Sequence, residues 1–288
     1  MFCINFCEIF NFSLMNSDML EKFCDYVAFK KKSCIERINI GSSFCSQYFC
    51  RFSGYKKVLE ICAKRGIHVT LTIPVFSEKD IEIGKKKAEQ ICKIAGDIID
   101  EITVNDMGML DFFKSKVQYK INLGRLFFKD PRDCRMPQYL KEPVSPMLLS
   151  HLKDEYWSLF RFNLVELDPT NNVIDTTVIK DTDISVGIHT PYCYMTTGNI
   201  CKFASIHRDI KEKFRPNSMC NMECEHMMDT YSGHVVQTDC DPVIRRFGRT
   251  LYYEINSVKL IGKNAEREIF FPVNEWREFK FENIGTFE

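Results

Sequence analysis

Four cysteines, Cys193, Cys201, Cys220 and Cys224, fall within 32 residues with the spacing C-x7-C-x18-C-x3-C. Thiolates are polarisable and bind soft metals, and four of them match either a tetrahedral zinc ion or a 4Fe–4S cluster. Structural zinc sites usually draw on tight C-x2-C or C-x4-C pairs, and this stretch holds neither. One C-x3-C pair and two widely separated members suit a cluster reached from different loops. The spacing therefore predicts a 4Fe–4S cluster, with zinc or simple packed thiols as the alternatives. It does not match a radical-SAM signature, which needs a third cysteine where Met227 stands. His189, His207 and His226 flank the cysteines. Such histidines serve more often as hydrogen-bonding groups than as ligands or acids.

A second constellation is basic. The run NLGRLFFKDPRDCR places Arg125, Lys129, Arg132 and Arg135 within eleven positions. Arginine presents a planar fork suited to carboxylate or phosphate. Arg125, Arg132 and Arg135 are read as groups that hold an anionic small-molecule substrate. The competing reading is a solvated charged loop. Asn105 and Asp106 end a strand, where polar residues either line a pocket or cap the next helix, and Asn105 is taken as a fourth substrate contact. Hydrolase signatures are absent: there is no G-x-S-x-G elbow, no HExxH and no P-loop.

The elements that must position these groups follow from pattern. Strands are predicted at CINFCEIF, Arg37–Gly41, HVTLTIPV from His68, EITVND from Glu101, YKINLGRLFF from Tyr119, RFNLVELD from Arg161 and DISVGIHT from Asp183. Most are separated by helical stretches, such as Asp18 to Lys31 with Ser17 or Asp18 as N-cap, and Tyr55 to Arg65 closed by Gly66. Seven strands with crossover helices argue for a parallel sheet. An eighth, needed to close a barrel, is assigned to TLYYEI from Thr250, and the terminal segment from Val258 to Glu288 reads as irregular or as short strands (EIFFPV). The expected fold is α/β, a TIM-barrel-like (β/α)8 domain spanning 1–288, with the cysteine cluster at the C-terminal ends of the strands. Cys45 follows the second strand, Arg125 and Arg132 the fifth, and Cys193 and Cys201 the seventh. An open doubly wound sheet is the alternative, but the Gly-rich dinucleotide fingerprint is missing.

Bulk properties narrow the class. Lys plus Arg and Asp plus Glu both number 39, so net charge gives no footprint for non-specific nucleic-acid binding. A local basic groove would still leave RNA open as a substrate. No stretch of 18 apolar residues exists, which predicts no membrane span. Fourteen cysteines without a signal-peptide pattern predict a reduced, cytoplasmic chain.

The combination of VNDMGML, INLGRLFFKDPRDCR, PYCYMTTGNICKFASIH and CNMEC resembles the collagenase-like peptidase family U (number thirty-two), over roughly residues 37 to 255. The short form, PYCYMTTGNIC in place of the longer peptidase signature, is closest to the UbiU- and UbiV-like branch. The resemblance implies a TIM-barrel-like body and a 4Fe–4S cluster held by four cysteines. It implies oxygen-independent hydroxylation of a small molecule or RNA, with prephenate as oxygen donor in the hydroxylating members. Under the family's older label it implies a peptidase, and a non-catalytic accessory protein with a structural cluster is the third alternative. Short members act as one half of a heterodimer, so a second family subunit is an expected partner. Cys201, Cys220 and Cys224 match the family's late cysteines. The fourth ligand is Cys193 in the UbiU-like pattern and Cys45 in the UbiV-like pattern; Cys193 is taken on local proximity, with Cys45 as the alternative.

Overall fold

The computed structural model of the chain describes residues 1–7, 16–128, 147–152, 154–169, 173–216, 220–225, 227–231, 243–255 and 257–284. Lys129, Arg132, Arg135 and His226 lie outside the described residues. In chain order the strands are β1 (Phe2–Asn5), β2 (Arg37–Gly41), β3 (His68–Ile73), β4 (Ile99–Val104), β5 (Lys120–Leu123), β6 (Phe162–Leu167) and β7 (Ile174–Asp175). They continue as β8 (Ser185–Thr190), β9 (Tyr192–Thr197), β10 (Met228–Tyr231), β11 (Ile244–Phe247), β12 (Thr250–Glu254), β13 (Leu260–Ile261) and β14 (Arg267–Phe270). The helices are α1 (Ser17–Lys31), α2 (Ser46–Arg51), α3 (Tyr55–Arg65), α4 (Ile81–Ala95), α5 (Met107–Phe113), α6 (Met147–His151), α7 (Glu155–Ser158) and α8 (Val273–Ile284).

Eight strands close a barrel in the order β1-β14-β8-β6-β5-β4-β3-β2. Every pairing in it is parallel. The TIM-barrel-like expectation therefore holds at the level of the sheet, with a less regular set of helices. The eighth strand differs from the sequence reading. It is β14, not the run at Thr250. β14 pairs with β8 on one side and β1 on the other, which closes the cylinder. The Thr250 run is β12, which pairs antiparallel with both β9 and β11. Both runs are short and rich in aromatic and β-branched residues, so composition alone does not separate them. Between β8 and β14, where a plain barrel has one crossover helix, this chain inserts the antiparallel sheet β10-β11-β12-β9. Aromatic contacts among Tyr192, Phe247, Tyr252 and Phe271, with centroids between 5.4 and 5.9 Å apart, join that sheet to the segment after β14.

The helices cover the barrel with one apolar face each. In α1 the buried residues are Leu20, Phe23, Cys24 and Val27; in α3 they include Val58, Leu59, Ile61 and Cys62. These i, i+3, i+4 spacings set the helical stripe. Asn16, rather than Ser17 or Asp18, caps α1, its side chain accepting from the Met19 amide. Gly66 closes α3 in the left-handed conformation, φ 64°, as expected. Several cysteines are simply part of this packing. Burial pushes the thiols of Cys3, Cys24 and Cys62 up to about 12, so they are neutral apolar groups. Among the described residues, no helix is long and apolar enough to cross a membrane.

Inward-facing positions carry polar groups where many barrels carry only aliphatic ones. Near the N-terminal ends of the strands, Arg267 forks onto Glu101 at 2.6 and 3.0 Å, and Asn122 donates to Glu101 at 2.9 Å. Burial alone would raise the Glu101 pKa, but Arg267, and then Arg37, outweigh it and hold the carboxyl at about 2, below its ordinary 4.5. The stability contributed by this carboxylate is therefore complete above pH 4.5 and is lost as pH falls towards about 2. Replacing Arg267 with methionine removes the fork and leaves buried Glu101 with Arg37 at 3.4 Å and Asn122 at 2.9 Å. We expect a loss of about 3 kcal/mol at neutral pH and an acid-unfolding midpoint shifted to higher pH, read by circular dichroism. A midpoint identical to that of the unmodified protein would show that the pair does not stabilise the fold.

Candidate functional site

Four segments meet in one pocket. It is lined by Cys45, Gln47, Tyr48, Asn199, Cys201, Cys220, Met222, Glu223, Cys224, Phe247, Gly248, Arg249 and Thr250, around a small cavity of about 30 Å3. The structure thus brings Cys45 to Cys201, Cys220 and Cys224. Cys193 lies elsewhere. It is 2 % exposed, packs with Tyr253 and Ile255, and directs its thiol at the Tyr194 carbonyl, 3.6 Å away. Strand alternation explains the difference. Cys193 sits within β9, opposite Tyr253 of β12, and is fixed by the ladder, whereas Cys45 ends a loop.

Local hydrogen bonds fix each segment. Cys45 is the N-cap of α2, its sulfur accepting from the Tyr48 amide at 3.4 Å. Its own amide donates to the Ser42 hydroxyl at 2.7 Å. The far end of the same short helix carries Arg51, which donates to the Cys220 carbonyl. Arg249, in the turn between β11 and β12, donates from two nitrogens to the Phe44 carbonyl beside Cys45. Gly248 makes that turn with φ 54°, a conformation that favours glycine. Ser205 donates to the Cys201 carbonyl at 2.9 Å. The helix that Cys45 caps is therefore tied to Cys220 through Arg51, and Ser205 fixes the Cys201 backbone within its own turn.

The electrostatics of the pocket are those of crowded thiols. Burial pushes Cys201 and Cys220 up, each with a further rise from another cysteine of the set. For Cys224 burial acts first, and Cys45, Cys201 and Cys220 add to it. Four thiolates held this close repel one another unless a cationic centre sits among them. Among the described residues, no three His, Cys, Asp or Glu side chains stand close enough together to hold a single metal ion.

Beneath the pocket a buried polar chain fills the barrel. Arg125 is 2 % exposed. It donates from Nε to Asp168 at 2.8 Å, from a terminal nitrogen to the other Asp168 oxygen, and to the Tyr192 carbonyl at 3.1 Å. Its remaining terminal nitrogen lies 3.3 Å from His189 Nδ1, and His189 Nε2 lies 2.9 Å from Glu166. One tautomer satisfies both contacts: Nδ1 accepts from Arg125 and Nε2–H donates to Glu166. Burial first, and the Arg125 charge second, hold His189 below its ordinary pKa, in agreement with a neutral ring. Thr103 donates to the other Glu166 oxygen at 2.6 Å. Phe44, Tyr194 and Tyr252 surround the Arg125 guanidinium at 5.4 to 5.8 Å.

These contacts place the expected substrate groups. Arg125 is engaged on every nitrogen by the protein itself. Asn105 is buried, donates to the Ile73 carbonyl at 3.2 Å and accepts from the Leu126 amide at 3.2 Å. Gly124 leaves it room, since a Cβ there would stand 2.2 Å from the Asn105 oxygen. Asp106 caps α5 through the amides of Gly108 and Met109. His207 is exposed on the segment after Cys201.

Sequence reasoning missed Glu166, Asp168, Arg249 and Tyr48. The first two carried a signal: two acids at alternate positions in the apolar run NLVELD point to the same face of a strand. Arg249 carried one in the glycine beside it. Tyr48 had none, because α2 is too short to show a period. Comparison with protein-family models, with curated proteins and with solved structures returns no match to this chain.

Proposed function

We propose that this chain is an iron–sulfur enzyme, or enzyme subunit, of the kind represented by the UbiV-like branch of the collagenase-like peptidase family U (number thirty-two). Its role would be oxygen-independent hydroxylation, or a related modification, of a small molecule or RNA. The observation that carries this reading is the gathering of Cys45, Cys201, Cys220 and Cys224 around one space. An early-loop ligand is what the UbiV-like pattern calls for, and Cys45 stands in that loop and lines the same pocket as the three late cysteines.

The four cysteines would hold the cluster, which supplies one-electron redox chemistry when bound. The protein's own contribution is legible in its contacts. The Tyr48 amide directs a hydrogen bond at the Cys45 sulfur, of the type that tunes such centres. Arg249 brings a cation to the pocket wall. Cys45 follows the C-terminal end of β2, the side on which barrels carry their chemistry.

Anaerobic purification tests the reading. The protein should be brown, with about four iron and four sulfide per chain. A colourless, iron-free protein after anaerobic reconstitution would overturn it. A stoichiometric zinc content in its place would support the zinc alternative.

A further inference from the structure

Among the described residues, Arg245 and Arg277 are two arginines with no carboxylate within hydrogen-bonding distance. Arg245 lies on β11 and its side chain is 15 % exposed. Its Nε is buried without a hydrogen-bond partner. Arg37 and Arg267 share that feature at Nε, but their terminal nitrogens fork onto Asp100 and Glu101. Arg245 has no such fork. Among the described residues it meets the carboxylate of Glu254 at 3.9 Å, beyond hydrogen-bonding range. Arg277, on α8, is exposed and donates to the Met228 sulfur at 3.4 Å.

Two independent contacts bring these arginines together. Met228 is paired with Phe247 across β10 and β11, and Arg245 is two residues from Phe247 on the same face of β11. Arg277 therefore reaches the strand pair next to Arg245. On the other side Tyr192 joins them. Arg245 lies over the Tyr192 ring at 5.8 Å, and the Tyr192 hydroxyl donates to Asn274 at 3.0 Å, one turn before Arg277 on α8. Like charges held near each other at a partly buried site cost stability unless an anion joins them. Glu254 is the acid beside Arg245, and Glu275 is the next acid along α8.

We infer that Arg245, Arg277 and Asn274 form a binding site for the phosphate group of a phosphorylated small molecule. The guanidinium forks match its oxygens, and the Asn274 amide adds a neutral donor. The position agrees with general practice in eight-stranded barrels, where phosphate sits frequently at the loops after the seventh and eighth strands. Here β11 lies in the insertion after β8, the seventh barrel strand, and α8 follows β14, the eighth. Phe247 also lines the cysteine pocket, so a phosphate held here anchors a ligand beside that pocket. The inference goes beyond the iron–sulfur reading and does not rest on it; an iron-free preparation that binds phosphate supports it fully.

Calorimetric titration of the full chain tests the site. The probes are inorganic phosphate, glycerol 3-phosphate and malonate, with chloride at matched ionic strength. Phosphate and glycerol 3-phosphate should bind saturably, and malonate at least several-fold more weakly. Arg277→Met, at an exposed position, should weaken phosphate binding roughly tenfold while leaving the fold intact by circular dichroism. Arg245→Met should do the same. Arg246→Met, whose side chain instead meets Tyr231, should change nothing. Phosphate binding no tighter than malonate, or unaltered in Arg277→Met, would overturn the assignment.

Discussion

A Cys45→Ala protein, reconstituted anaerobically, is expected to lose most of its iron and sulfide, whereas Cys193→Ala should keep both at the level of the unmodified chain. The two cysteines differ in what surrounds them. Cys45 lines the pocket with Cys201, Cys220 and Cys224, and its removal leaves three thiolates for a centre that needs four. Cys193 is enclosed by Tyr253, Ile255 and Met195, so its loss opens a sulfur-sized void. That void should cost roughly 1 kcal/mol of stability and no metal. Iron and sulfide per folded chain, with a denaturant midpoint for each variant, separate the two effects. Full iron in Cys45→Ala, or iron lost only in Cys193→Ala, would return the fourth ligand to the UbiU-like position and remove the observation on which the proposed function stands.

That contrast also shows where the sequence was readable and where it was not. The barrel strands through β8 were legible because each is an apolar run bounded by turn residues, most of them separated by helical stretches. β14 was not. Four residues carry no period, and its identity as a barrel strand comes only from its partners β1 and β8, which are distant in the chain. That Cys201, Cys220 and Cys224 line one pocket was suggested by their closeness in sequence. That Cys45 joins them there and Cys193 does not could not be read the same way: Cys193 is eight positions from Cys201 but stands in the β9–β12 ladder, whereas Cys45 is distant in the chain. Arg125 was legible as an unusual residue but not in its role. A loop arginine and a buried one look alike until Asp168, Tyr192 and His189 are brought to it by three other strands.

Arg125 gives the second large effect. Replacing Asp168 with alanine leaves the buried guanidinium facing only the neutral His189 ring and the Tyr192 carbonyl. The Asp168 side chain is itself 8 % exposed, so solvent does not reach in to compensate. Breaking a buried pair from one side costs about 3–5 kcal/mol, which for a chain of this size lowers Tm by roughly 10 °C. Removing both partners is less damaging than removing one. The double variant Asp168→Leu with Arg125→Met should recover a large part of the loss, because no charge is then stranded. The consequence should extend to the pocket. Asp168 also accepts from the Tyr194 amide at 3.1 Å, and Tyr194 and Phe44 both pack on the guanidinium. Phe44 precedes Cys45 and receives Arg249 on its carbonyl. A loosened Arg125 therefore loosens the loop that presents Cys45, and Asp168→Ala should release iron to a chelator faster than the unmodified protein. Thermal unfolding of both variants decides the matter. If Asp168→Ala loses less than 1 kcal/mol, or if the double variant is no better than the single one, Arg125 and Asp168 are not the tie that joins the barrel lumen to the cysteine loop.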